Sequence, residues 1–258
     1  MNFNSDFLNY QPIFTDEETK QLDEINKTLS LKAFLDNKNL VEKFGFDFVY
    51  TSAKIEGNTY SRADALTLLE YGRTSGGKSY SDAKMLLNLQ KAFKFILTDD
   101  CAINKPKIRT IHHILASDLV EDGDLGVVRQ KGVLIKGSEY IPASDALTLE
   151  SQMDKILDIA QTIDNPYDKA LYLHNNLAYL QYFADVNRRT VRTMLNLSLI
   201  CDGKMLLIPQ EALIVTYIEG ILEYYEDGTI NKSKEFFIKS YEAMEAQAKE
   251  IGYGSDKA

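Results

Sequence analysis

Chain breakers are scarce in this sequence, and that limits what it can fold into more than any other feature. Five prolines and fourteen glycines serve 258 residues, so the spacing between forced turns predicts long helices joined by short loops. Helix starts are written locally. Thr15-Asp16-Glu17-Glu18 has the form of a capping box and opens an amphipathic segment to about Leu35. A second segment, about 40–56, carries Val41, Phe44, Phe46, Phe48, Val49 and Ile55. Gly57-Asn58 stops it, because both residues tolerate the left-handed conformation that ends helices. Ser61 caps a third helix through Leu69, Ser81 opens a fourth through Ile96, and a fifth over Lys107–Leu119 follows Pro106. Further helices are expected over Thr148–Ile163, Tyr167–Leu180, Arg189–Cys201, Gln210–Glu226 and Ser233–Ile251. One segment departs from this pattern. In GVLIKGSEYIPAS (132–144), Val133-Leu134-Ile135 and Tyr140-Ile141 flank Gly137-Ser138, as in a short β-hairpin. The expected fold class is mostly α with one such hairpin.

Composition narrows the function classes. A hydrophobic share of 45% suffices for a sizeable core. The net charge of −9 argues against a broad nucleic-acid or anionic-membrane surface while leaving room for a small basic pocket. Cys101 and Cys201 are far apart in sequence and form no CxxC, so neither a metal pattern nor a disulfide framework is read from them, and a reducing compartment is the default. The opening MNFNSDFLNYQP lacks a basic segment followed by an apolar one. No apolar run approaches the ~18 residues that would suggest a membrane span. No membrane association, no nucleic-acid partner and a cytoplasmic location are therefore expected.

Gly72 to Ser79, GRTSGGKS, fits the spacing GxxxxGK[ST] of a phosphate-binding P-loop. That loop needs a buried strand before it, whereas Ala65, Leu66 and Leu69 recur at helical spacing. The stretch reads as an inter-helix loop.

The densest chemistry lies in QYFADVNRRTVR, residues 181–192. If a helix begins near Asn187, then Arg188, Arg189 and Arg192 occupy its first turns. Cations there oppose the helix dipole. Three such breaches point to a compensating anion, either a phosphate on the free N–H groups or a protein carboxylate. Asp185 and Asn187 beside them could hold Mg²⁺ and a phosphate oxygen.

FADVNRRTVR resembles the signature loop of Fic (Fido) proteins, HxFx[D/E]GNGRxxR, with Phe183, Asp185, Asn187, Arg189 and Arg192 in place. Upstream, TSAKIEGN is similar to the family's inhibitory motif [S/T]xxxE[G/N], with Ser52 and Glu56 at its key positions. Leu125-Gly126, Arg129 and the hairpin 132–144, where the family places a target-docking flap, extend the likeness over roughly residues 45 to 225. The resemblance implies a Fic-type helical bundle and transfer of AMP from ATP to a target hydroxyl. It implies that Asn187, Arg188, Arg189 and Arg192 line the phosphates and that Asp185 holds Mg²⁺ where a nucleotide binds. Glu56 would pair with Arg192, and Val133, Leu134, Ile135 and Tyr140 would belong to the flap.

Three departures qualify this. Gln181 stands where the family has its catalytic His, and an amide cannot accept a proton near neutral pH. His174, seven residues earlier, would be ~10 Å away along the helix, and it is read as packing or surface together with His112 and His113. Val186 and Arg188 replace the two glycines of the loop, a pattern similar to the Ala and Lys of the kinase-type Doc relatives. The expectation is a Fic protein impaired in AMP transfer, with ATP and Mg²⁺ as ligands if the site is competent and none otherwise. The alternatives are an active transferase of altered chemistry, Doc-like phosphoryl transfer included, and a non-catalytic regulatory module. The expected organisation is an N-terminal helical region (1–98) with the inhibitory helix at about 40–57, a Fic core (99–230) and a C-terminal helix (231–258). The expected partner is a target protein docked on the flap; self-association stays open.

Overall fold

The computed structural model describes residues 1–74, 76–98 and 100–250. The first helix, α1 (Asp16–Leu29), starts at a complete capping box. Glu18 N donates to Thr15 Oγ1 at 3.2 Å and Thr15 N donates to Glu18 Oε2 at 2.8 Å. The helix does not run unbroken to Leu35. Ser30 turns the chain and caps a separate α2 (Leu31–Leu35) by accepting from Ala33 N at 3.3 Å, a local alternative to helix continuation that serine favours.

Next come α3 (Lys38–Ile55), closed by Glu56 and Gly57, and α4 (Arg62–Tyr71), opened by a Ser61–Asp64 capping box and ended by left-handed Gly72. The P-loop-like stretch after α4 follows a helix, not a strand, as its loop reading requires; its Ser75 lies outside the described residues. The chain continues with α5 (Tyr80–Thr98), α6 (Lys105–Ala116), α7 (Ala146–Gln161), α8 (Pro166–Leu180) and α9 (Asn187–Cys201). A single 3-10 turn, Glu211–Leu213, precedes α10 (Ile214–Asp227), and α11 (Asn231–Glu250) ends the described chain. The expected terminus of that last helix, Ile251, lies outside the described residues.

Two helices form the axis of the structure. Nearly every residue of α8 and α9 is buried, polar ones included, and α5, α6, α7, α10 and α11 pack around them. Buried polar groups need partners, and Asp168 of α8 finds them in the start of the chain. Its carboxylate accepts from Ile13 N and Phe14 N, each at 3.0 Å, and from Tyr10 Oη. Helix α3 reaches the core through α5, where Phe48 packs on Phe93 at 5.5 Å. Gly45 is required at that crossing, since a Cβ would lie 2.6 Å from the Phe93 ring.

The hairpin expected at 132–144 is present only in outline. The chain turns at Gly137 (φ +86), with Ser138 N donating to Ile135 O at 3.3 Å, but no regular strand forms among the described residues. A two-stranded ribbon is marginal by itself. Here the second arm pairs with the chain start instead: Ile141 N donates to Met1 O at 2.7 Å and Phe3 N to Ile141 O at 2.9 Å. No helix of the described residues is long and apolar enough to cross a membrane.

Candidate active site

The loop 181–187 joins the two axial helices, and its geometry is costly. Gln181 closes α8 at φ +50 and Val186 precedes α9 at φ +61. A β-branched residue in the left-handed region is strained by roughly 1–2 kcal/mol. Surrounding bonds enforce that conformation. Val186 N donates to Asp185 Oδ1 at 2.6 Å, and Val186 O accepts from Thr190 N and Thr190 Oγ1 at 3.1 and 2.9 Å. Asn187 staples the loop from inside. Its Oδ1 accepts from Phe183 N at 3.0 Å, and its Nδ2 donates to Phe183 O at 2.8 Å and Gln181 Oε1 at 3.2 Å.

His112 of α6 holds the other side. Its ring stacks on Phe183 at 3.7 Å, its Nδ1 accepts from Gly126 N at 3.0 Å, and its Nε2 faces Asp185 O at 3.2 Å. These partners select the neutral Nε2–H form. His174, buried in α8, is likewise committed to Asn175 and to the Tyr217 hydroxyl at 2.8 and 3.1 Å. Burial is the main cause that lowers both histidines to about 4. Their neutral forms therefore contribute stability fully above the ordinary histidine value, and that contribution is lost as pH falls from 6.5 toward 4. The Tm should drop across this window, and His112→Asn, which keeps an acceptor for Gly126 N, should flatten part of the slope in a thermal melt series.

The three arginines have different surroundings. Arg192 is 4% exposed. It donates through Nη2 to Glu56 Oε1 at 2.7 Å and Ser52 O at 3.1 Å, and through Nη1 to Tyr217 Oη at 3.0 Å. Arg188, half-exposed, forms an ion pair with the other carboxylate oxygen, Glu56 Oε2, at 3.1 Å. Arg189 is 7% exposed, and its Nε and Nη1 have no partner among the described residues. Burial opposes the charge on Glu56, but Arg192, Arg188 and Arg189 together outweigh it and hold the carboxyl below its usual range. One carboxylate thus faces three guanidinium groups at the mouth of a helix. Ser52 contributes its carbonyl, while its hydroxyl is buried with no partner among the described residues.

Gln181 is turned inward. Its Nε2 donates to Ala178 O at 2.7 Å and Tyr225 Oη at 3.0 Å, while Oε1 accepts from Asn187. Both ends of the amide are used in packing. A cleft of about 300 Å³ opens over it, walled by Glu56, Asp185 and Arg188, by Val133, Leu134 and Ile135, and by Tyr217 and Tyr225 of α10. The residues singled out in the sequence therefore converge, except Tyr140. That ring is buried behind the cleft, stacked on Tyr179 at 4.4 Å with its hydroxyl on Tyr179 O at 2.8 Å. Asp185 is exposed at the rim. Among the described residues no group of three or more His, Cys, Asp or Glu side chains could hold a metal ion, so a cation at Asp185 would need ligand oxygens to complete its shell.

Arg129 joins the two halves of the site. Fully buried, it donates through Nε to Gln181 O at 2.6 Å, through Nη1 to Lys131 O at 2.7 Å and through Nη2 to Ala143 O. It has no carboxylate partner among the described residues, and burial lowers its pKa. Arg129→Met keeps much of the volume but strands three carbonyls, so it should cost about 3 kcal/mol. Amide exchange over 132–144 should then quicken selectively.

The sequence reading missed Tyr217, Tyr225 and the loop-holding role of His112. Tyr217, Ile221 and Tyr225 do recur at helical spacing on the predicted α10, but such a stripe reads as core until its partners are known.

Residues 102–199 match the Fic/DOC family. The chain is 25% identical over 201 residues to protein adenylyltransferase fic-1 of Caenorhabditis briggsae, covering 73% of this chain and 37% of that one. It is 29% identical over 164 residues to protein adenylyltransferase Fic of Aedes aegypti, covering 60% and 32%. It thus spans only about a third of those relatives' length. A Fic family protein from Desulfovibrio desulfuricans G20 superposes with a TM-score of 0.77 at 17% identity, over 96% of this chain and 79% of that structure. Helical fold, signature loop and relatives agree, and over residues 102–199 the chain is similar to the Fic/DOC family.

Proposed function

We propose that this chain binds ATP in the cleft above Gln181, that Glu56 holds the cleft closed, and that AMP transfer to a protein hydroxyl is impaired. The observation that carries the reading is the imbalance at the mouth of α9. Arg189 is buried with two donors unpartnered among the described residues, and the carboxylate paired with Arg188 and Arg192 is one that α3 brings from far away in sequence. A phosphate group would satisfy Arg189, take N–H groups at the helix start and replace Glu56 on Arg192. Arg188 and Asn187 would line the same anion. Asp185 would hold Mg²⁺ with the phosphate oxygens, and the ion would neutralise charge on the phosphates.

In AMP transfer the target hydroxyl attacks the α-phosphate, pyrophosphate leaves, and the hydroxyl proton must be taken up. A positioned base contributes about 10²–10⁴-fold to such a step. Gln181 cannot supply one, and its amide is already bonded to Ala178, Tyr225 and Asn187. The target would dock along Val133–Ile135, where Leu134 is 90% exposed, through main-chain pairing. Names such as protein adenylyltransferase among the relatives support AMP rather than phosphoryl transfer.

Calorimetric titration with ATP and Mg²⁺, beside transfer assays with α- and γ-labelled ATP, tests this. Binding with weak or no transfer of the α-label is expected. Absence of binding even in Glu56→Gly would leave a non-catalytic module, and efficient γ-label transfer would favour the phosphoryl reading.

A further inference from the structure

The two cysteines come together although a hundred positions separate them in sequence. Helices α6 and α9 run antiparallel, as two neighbourhoods along them show. His112 of α6 touches Asp185 just before α9. One turn earlier, Ile108 shares the wall of a small void with Thr190 and Val191. The segment leading into α6 accordingly arrives at the far end of α9, where Cys201 is the last helical residue. There the Cys101 thiol lies against that of Cys201. Cys101 is exposed and Cys201 half-buried, packed at the edge of the core. Burial, and then the adjoining Cys101 thiol, push the Cys201 thiol above the ordinary thiol range. The pair is remote from the cleft, since twelve residues of helix separate Arg189 from Cys201, about 18 Å of rise.

We propose that Cys101 and Cys201 form a dithiol–disulfide modification site that reacts with small disulfide oxidants of the glutathione class. Cys101, the accessible thiol, loses its proton and attacks one sulfur of oxidised glutathione, releasing one glutathione thiolate. Cys201 then loses its proton and attacks the Cys101 sulfur of the mixed disulfide, releasing the second. The two protons pass to the two thiolates. Two protein thiols are thereby oxidised to one disulfide, and one oxidised glutathione is reduced to two molecules of the thiol. The bond ties the α5–α6 connection to the end of the helix whose other end carries Arg188, Arg189 and Arg192. It would thus be a covalent clamp on the element that presents the anion site.

The whole folded chain should be incubated with oxidised glutathione, quenched by alkylation, and followed by intact mass and peptide mapping. Wild type should lose the mass of two hydrogens and yield a 101–201 cross-linked peptide, reversibly with dithiothreitol. Cys201→Ser should stop at a glutathione adduct on Cys101, and Cys101→Ser should stay reduced over the same period. Closure in the folded chain should exceed that in guanidinium by about tenfold or more, because the fold supplies the proximity. A persistent glutathione adduct on wild-type Cys101, a disulfide only between chains, no reaction at all, or equal rates folded and unfolded would each overturn the proposal. The outcome does not depend on nucleotide binding.

Discussion

Replacing Glu56 with glycine should do two opposite things at once: lower the stability of the chain by about 3 kcal/mol and raise its affinity for ATP by about tenfold or more. The first follows from desolvation. Arg192 is almost wholly buried, and Glu56 is its one carboxylate partner among the described residues. Removing one member of a buried pair leaves an uncompensated charge, which typically costs 3–5 kcal/mol. The half-exposed Arg188 can turn to water, so it adds little. The second follows from the same loss. A carboxylate resting on two guanidinium groups occupies the donors a phosphate would use, and freeing them adds affinity at about 1.4 kcal/mol per tenfold. ATP should therefore restore much of the Tm lost by the variant, through binding to the folded state alone.

Glu56→Gln separates the terms: it keeps an acceptor for Arg192 but no charge, and should fall between wild type and glycine in both readouts. The pH dependence has a definite sign. Because the folded carboxyl is held below its usual range, its contribution is complete above the ordinary glutamate value and is lost only as pH falls through the lower, folded one. Acidification to pH 5 should therefore not open the cleft. A Glu56→Gly chain that melts as wild type does and gains no affinity would mean that the pair is ornamental.

What the sequence made legible was local chemistry. The capping boxes at Thr15–Glu18 and Ser61–Asp64 act within one turn, so their helices could be placed from the chain alone. The break at Ser30 could not, because a serine hydroxyl that caps and one that merely faces solvent look alike in a string of letters. The arginines at 188, 189 and 192 stood out because they violate the dipole rule, and a violation is visible without coordinates. Which of them meets Glu56 depends on how α3 lies against α9. Arg188, expected among the phosphate-lining residues, pairs with Glu56 beside Arg192, a contact the string of letters does not show. The hairpin failed for a related reason. Its alternation is too short to specify pairing, and the backbone of Ile141 is taken by the first residues of the chain. The same limit applies to Cys101 and Cys201, whose proximity exists only through the antiparallel packing of α6 and α9.

Gln181→His alone should raise α-label transfer by less than about tenfold, short of the 10²–10⁴ that a working base contributes. Three features of the site decide this. The backbone at 181 is fixed at φ +50 by Arg129 on its carbonyl, so the new ring starts from the same place and direction as the amide. Inward-facing partners are already arranged there, with Tyr225 Oη and Asn187 Nδ2 ready to bind an imidazole as they bind the amide. Above it, Arg188 and Glu56 remain joined across the cleft, so the α-phosphate is not delivered to the new base. A base acts only when it is within hydrogen-bond reach of the proton it removes, and geometry comes before pKa. Gln181→His combined with Arg188→Gly and Glu56→Gly removes both obstructions and should recover most of the missing factor, measured as self-labelling with α-labelled ATP. The triple variant should also show the stability loss of Glu56→Gly, so the assay belongs well below its lowered Tm. If the single histidine variant transfers as strongly as the triple, then Arg188 and Glu56 do not obstruct the cleft, and the missing proton acceptor is the sole defect of the site.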